Sequence, residues 1–346
     1  MGEISATTVL LALWLNLEPV AHAQELRLKI ERYLNVQMLE NGFSGQVLIA
    51  HGDEVLVNKS FLPPPGSGSD LRKAQERFPA GSIAEQFIAA AILQLDVRGQ
   101  VRLDAPICDY IANCPGGWKK IHILDLLTHS SGLPSLPSVS PCIELRTSKP
   151  SAVMAMLSGK PLLFEPGSSF NFNRLDYFFL SEVIEKISGQ LISEYLDQHI
   201  FHPLNLAQTG YLVSASQQKC TEVELPASPV PSSFSGELYT SSDDLYRWNH
   251  ALFTGKFLPK NSLDQMYTPY IEGHGFGLKI LKEFERKVAV QNDESDLNSV
   301  SIRMYPDDDT CVIVVSRVHG VAASGLSHGL GALLFPKQPG GRHRHH

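Results

Sequence analysis

The chain has 346 residues, 43% of them hydrophobic and 19% charged, with a formal net charge of −7. That balance suits a globular protein with one large core or two small ones, and its acidity argues against nucleic acid as the main partner. No apolar run reaches the roughly 18 residues that a membrane-spanning helix needs.

In chain order, residues 6–17 form a short apolar core ahead of Ala21-His22-Ala23, a small-x-small site before Gln24. Residues 1–23 therefore read as a signal peptide and the protein as secreted or periplasmic, although Glu3 stands where such a leader usually carries a basic residue. Residues 26–39 have helical periodicity. Residues 46–50 and 54–58 are β runs around the hairpin signal His51-Gly52-Asp53. Residues 63–69, all Pro, Gly and Ser, read as a loop. Residues 82–97 predict a helix whose apolar face uses Ile83, Phe87, Ala90, Ala91 and Leu95, with Gly99 as its stop.

From residue 103 to 211 the pattern is helical with loops, including a short helix at 123–128 and a long one at 177–199 interrupted near Gly189. Residues 226–231 read as a loop and 241–253 as a helix. After Gly273 the period becomes that of strands, at 276–280, 287–291, 299–304 and 311–316, with a turn at 306–309. Residues 325–334 close the chain as a helix, and 336–346 form a disordered, His-rich tail. Strands at both ends of a helical middle imply an α+β fold: one sheet region from 24–100 and 236–335, with a helical insertion at about 101–235. Among five cysteines, Cys108 and Cys114 lie close enough to bridge a small loop, and Cys311 sits in an apolar strand as a buried thiol. None has metal-site spacing, and no cofactor or metal is expected.

Several runs carry chemistry together: Ser44-Gly45-Gln46-Val47-Leu48, Phe78-Pro79-Ala80-Gly81-Ser82, Leu126-Leu127-Thr128-His129-Ser130-Ser131-Gly132-Leu133-Pro134, Pro166-Gly167-Ser168-Ser169-Phe170, Gly236-Glu237-Leu238-Tyr239-Thr240 and Tyr305-Pro306. With them the chain resembles the serine β-lactamase-related family of class C β-lactamases, D-alanyl-D-alanine carboxypeptidases and related esterases, from about residue 43 to 316. The resemblance implies a β-lactamase/transpeptidase-like fold, an antiparallel sheet of about five strands flanked by helices, and a cleft with Ser82 at its floor.

The resemblance also implies acyl transfer through three motifs, and here the sequence departs from it. In Ser-x-x-Lys the serine is acylated and the lysine helps take its proton; Ser82 is kept, but Glu85 replaces the lysine. In Tyr-x-Asn the tyrosine shares that proton work; Phe172 and Arg174 stand in those positions. The third motif, His-x-Gly or Lys-Thr-Gly, matches Gln291-Asn292-Asp293, which loses the basic residue and the glycine and adds a carboxylate that would oppose acidic ligands. General-base assistance is worth about 10²–10⁴-fold in rate, so its loss is costly.

Two readings of Glu85 stand side by side. Ser82-x-x-Glu85 before an apolar run is a capping-box pattern, worth roughly 0.5–2 kcal/mol of helix stability. Alternatively Glu85 and Arg174 face each other across the cleft as an ion pair. His129 is expected to be structural, Ser130 and Ser131 to shape a turn, and Asp176 to cap the helix that follows. The functional expectation is an exported pseudoenzyme acting by binding a ligand or partner, such as a cell-wall peptide or small acyl ligand in the old cleft. The alternative is a serine hydrolase of esterase, carboxypeptidase or β-lactamase type working through Ser82.

Overall fold

A computed structural model describes residues 6–62, 77–135, 150–211, 238–294, 299–317 and 321–336. The loops expected at 63–69 and 226–231, and the tail from 337, lie outside the described residues. Helix α1 (Ala6–Asn41) leads into the hairpin β1 (Gly45–His51) and β2 (Glu54–Phe61). After β3 (Arg77–Pro79) a short 3₁₀ turn, Gly81–Ile83, opens α2 (Ala84–Val97). The middle of the chain supplies α3 (Ile123–Leu127), α4 (Pro150–Leu157), α5 (Arg174–Ser188), α6 (Ile192–Leu196), β4 (Gly210–Tyr211), β5 (Leu238–Ser241), α7 (Ser242–Phe253) and α8 (Lys260–Met266). Strands β6 (Lys279–Glu283), β7 (Arg286–Glu294), β8 (Ser299–Tyr305) and β9 (Thr310–Ser316) and helix α9 (Ala323–Leu334) complete it.

The main sheet is antiparallel, in the order β2-β1-β9-β8-β7-β6. It has six strands where the sequence suggested about five, and a small sheet, β3-β5-β4, stands beside it. The inner strands β1, β9 and β8 are buried on both faces, which explains why they read as apolar runs. On β1, Leu48 and Ala50 join the core under the helical layer, while Val47 and Ile49 face the core under α1 and α9. Strand β9 alternates in the same way, with Cys311, Ile313 and Val315 on one side and Val312 and Val314 on the other. Burial pushes the free Cys311 thiol up to about 12. Cys108 and Cys114 form the expected disulfide.

Several local expectations need correction. The long helix expected at 177–199 starts earlier, at Arg174, and ends where Gly189 takes a left-handed conformation with φ 70°. Its N-cap is Asn173, whose side chain accepts from Leu175 N at 3.1 Å, not Asp176. The strand expected at 276–280 begins pairing only at Lys279. Ahead of it Gly277, at φ 70°, lies flat against α2, where a Cβ would come within 2.8 Å of Gln86 N and Glu85 C.

Candidate functional site

Ser82 lies in the 3₁₀ turn at the mouth of α2, half-buried, where β7 crosses it. Each of its polar groups is taken by that strand. Its N–H donates to Asp293 Oδ1 at 2.8 Å, its Oγ donates to the Asn292 carbonyl at 3.2 Å, and its carbonyl accepts from Gln291 Nε2 at 2.6 Å. Gln291 is itself fixed from behind: its Oε1 accepts from Gln86 Nε2 at 2.5 Å, and Gln86 Oε1 accepts from Trp248 Nε1 at 3.1 Å. Gly81, at φ 53°, makes the approach possible, because a Cβ there would overlap the Asp293 carboxylate.

The capping box does not form. The residue preceding the 3₁₀ turn is Ala80 and the N-cap of α2 is Ile83, neither with a side-chain cap, since the turn directs Ser82 to β7. Glu85 does not turn to Arg174 either. Its buried carboxylate points to His129, with Oε2 3.5 Å from Nε2, inside ion-pair reach but off line for a hydrogen bond. Arg174 is half-buried and opens α5. Phe172 is 47% exposed at the cleft mouth, its ring 4.8 Å from that of His129.

His129 is thus at the centre of the site. Its ring is 5% exposed, and Nδ1 meets Asp176 Oδ2 at 2.9 Å. Asp176 is fully buried and also accepts from Ser131 Oγ at 2.5 Å. Burial by itself would lower the imidazole pKa. The Glu85 charge and the Asp176 hydrogen bond outweigh it and push it up to about 10. Burial raises the Asp176 carboxyl, partly offset by His129. His274 is driven the other way, to about 4, by burial and then by the Lys279 and His129 charges; it stacks on Phe170 at 3.8 Å as a neutral ring.

These groups enclose a cleft of about 240 Å³ whose walls include Ser82, Glu85, His129, Phe172, Leu278 and Lys279. Among the described residues no group of three or more His, Cys, Asp or Glu side chains could hold a metal ion. The structure therefore joins Ser82, Gln291 and Asp293 in one set of contacts, and Glu85, His129 and Asp176 in another. Sequence reasoning missed Asp176 and Ser131 as partners of His129. The signal available was His129 in its Thr-His-Ser-Ser-Gly run with an acid just inside α5, but only the fold joins two segments 47 residues apart.

A serine at the start of a helix, in a cleft beside an antiparallel sheet with a helical layer against it, defines a β-lactamase/transpeptidase-like fold. The chain belongs to the Beta-lactamase family, whose profile it matches over residues 36–328. It is 26% identical over 309 residues to the putative penicillin-binding protein PbpX of Bacillus subtilis, covering 86% of this chain and 75% of that one. It is also 26% identical over 225 residues to esterase EstB of Burkholderia gladioli, covering 59% of this chain and 57% of the esterase. Among solved structures it resembles the octameric penicillin-binding protein homologue from Pyrococcus abyssi, with TM-score 0.73, 25% identity and coverage of 90% and 78%. The β-lactamase/D-alanine carboxypeptidase from Yersinia pestis superposes with TM-score 0.72 at 20% identity, covering 90% and 98%.

Proposed function

We propose that this protein keeps the β-lactamase fold as a binding protein and does not transfer acyl groups through Ser82. The observation that carries this reading is the occupation of every polar group of Ser82 by β7. A serine nucleophile needs a base at its hydroxyl and donors at the oxyanion. Here the hydroxyl is spent on a carbonyl, which cannot accept the proton in a reaction. The backbone N–H that would serve a nascent oxyanion already holds a carboxylate. Removing one such donor costs about 10²–10³-fold in rate, and the loss of general-base help a further 10²–10⁴-fold or so. Glu85, the nearest acid on α2, faces His129.

Export fits the same reading. The leader-like composition of residues 1–23 and the Cys108–Cys114 disulfide both suit an oxidising compartment outside the cytoplasm. In that setting the ligand is a small molecule or peptide of the cell wall. The test is covalent labelling. Incubation with a fluorophosphonate and with a labelled penicillin, followed by intact mass, is expected to leave the protein unmodified, and turnover of a p-nitrophenyl ester should match that of Ser82→Ala. A stoichiometric adduct on Ser82 would replace this reading with the serine hydrolase one.

A further inference from the structure

We infer that the cleft floor recognises a neutral carboxamide, gripped on two sides by His129 Nε2 and the Glu85 carboxylate, with the apolar body of the ligand against Phe172, Leu278 and Leu281. The inference rests on Ser82 not being a nucleophile.

His129 is 95% buried (5% exposed), yet its Nε2 has no hydrogen-bond partner. The other ring nitrogen is committed to Asp176, which fixes the plane of the ring. Held as an imidazolium, the ring presents Nε2–H as a donor. Glu85 Oε2, 3.5 Å away, is an acceptor beside it, an ion-pair partner that makes no in-line hydrogen bond to Nε2. Buried polar groups are rarely left so unless something else completes them. A donor and an acceptor at this spacing fit a group that carries a carbonyl oxygen and an N–H side by side. The carbonyl accepts from Nε2–H and the N–H donates to the carboxylate. Asn and Gln side chains grip the donor–acceptor edge of adenine by the same two-point geometry.

The charges select against the alternatives. The floor sets the acids Glu85 and Asp176 against the single base His129, with Asp293 behind Ser82. A carboxylate has no donor for Glu85 and meets its like charge, and among the described residues the one lysine that lines the cleft is Lys279. An ammonium can donate to Glu85 but leaves Nε2–H unmet and stands beside a cation. His274 is neutral and adds no charge. At the entrance Phe172 and Leu281 are 47% and 37% exposed, apolar surface suited to a hydrophobic body.

The experiment titrates the full chain at pH 7 with benzamide, benzoate and benzylamine, three probes of one shape, following the His129 ring by NMR. Benzamide is expected to bind at least about ten-fold more tightly than either charged probe and to move the His129 signals. In Glu85→Leu, which removes the acceptor and the charge that helps hold the His129 proton, that preference should fall below about three-fold. Equal or tighter binding of benzoate or benzylamine, no binding of benzamide at millimolar concentration, or an unchanged preference in a folded Glu85→Leu would each overturn the inference. Should that variant not fold, as judged by its melting curve, the ratio in the unsubstituted protein decides alone. Failure of benzamide to bind with Ser82 unlabelled overturns this inference only, whereas an adduct on Ser82 removes the reading beneath it.

Discussion

At His129 three influences compete for one proton. Burial disfavours the imidazolium; the Glu85 charge and the Asp176 hydrogen bond favour it, and together they win, taking the group from 6.5 to about 10. The sign of the consequence follows from linkage. Between pH 6.5 and about 10 the folded chain holds a proton that the unfolded chain has released. The stabilisation is complete below the lower value and is lost as pH rises through the upper one, at about 1.4 kcal/mol per pH unit for one proton. The His129 ring is therefore expected to show imidazolium carbon and nitrogen shifts unchanged from pH 6 to 9, and a midpoint near 6.5 would refute the network. Replacing it by His129→Asn leaves Glu85 and Asp176 buried without their cation, a loss of about 3–5 kcal/mol by denaturant unfolding.

The contact of β7 with the Gly81–Ile83 turn depends on a missing side chain. Gly81 combines φ 53° with a position where a Cβ would overlap the Asp293 carboxylate. Gly81→Ala should therefore destabilise the protein by about 1–3 kcal/mol, part backbone strain and part displacement of Asp293. The displacement share is separable: in an Asp293→Gly background the same change should cost measurably less, a coupling that a double-mutant cycle reads directly. Additive losses would mean that the two residues do not meet. Elements with a plain period were legible in the sequence for the same kind of local reason. The β1–β2 hairpin, α7 and strands β8 and β9 stand within a few residues of expectation because alternation or helical spacing alone specifies them. Where tertiary contact overrides local pattern, legibility ended. Phe276 and Gly277 read as strand, but Phe276 N donates to Met266 O and Gly277 packs flat on α2, and Ser82-x-x-Glu85 reads as a capping box but is split between β7 and His129.

Across the whole molecule the resemblance assigned motif positions but not the contacts between them. The resemblance placed Ser82, Glu85, Phe172, Arg174, Gln291 and Asp293 around one cleft, but which side chain would meet which is set by how α2, α5 and β7 converge. Glu85 found His129 instead of Arg174, and the third motif closed onto Ser82 instead of standing open for a ligand. This changes what a restoration experiment must contain. Glu85→Lys, Phe172→Tyr and Arg174→Asn together return a base and its partners to α2 and the start of α5. They leave the Ser82 N–H on Asp293 and its carbonyl on Gln291. Because groups that act as a unit contribute non-additively, the triple variant is expected to acylate with labelled penicillin no faster than the parent. Adding Asp293→Gly vacates the Ser82 N–H, and the quadruple variant should label at least about 10²-fold faster than the triple, the worth of one oxyanion donor. Equal labelling of the two variants, with both folded, would show that the Asp293 carboxylate does not limit acylation of Ser82.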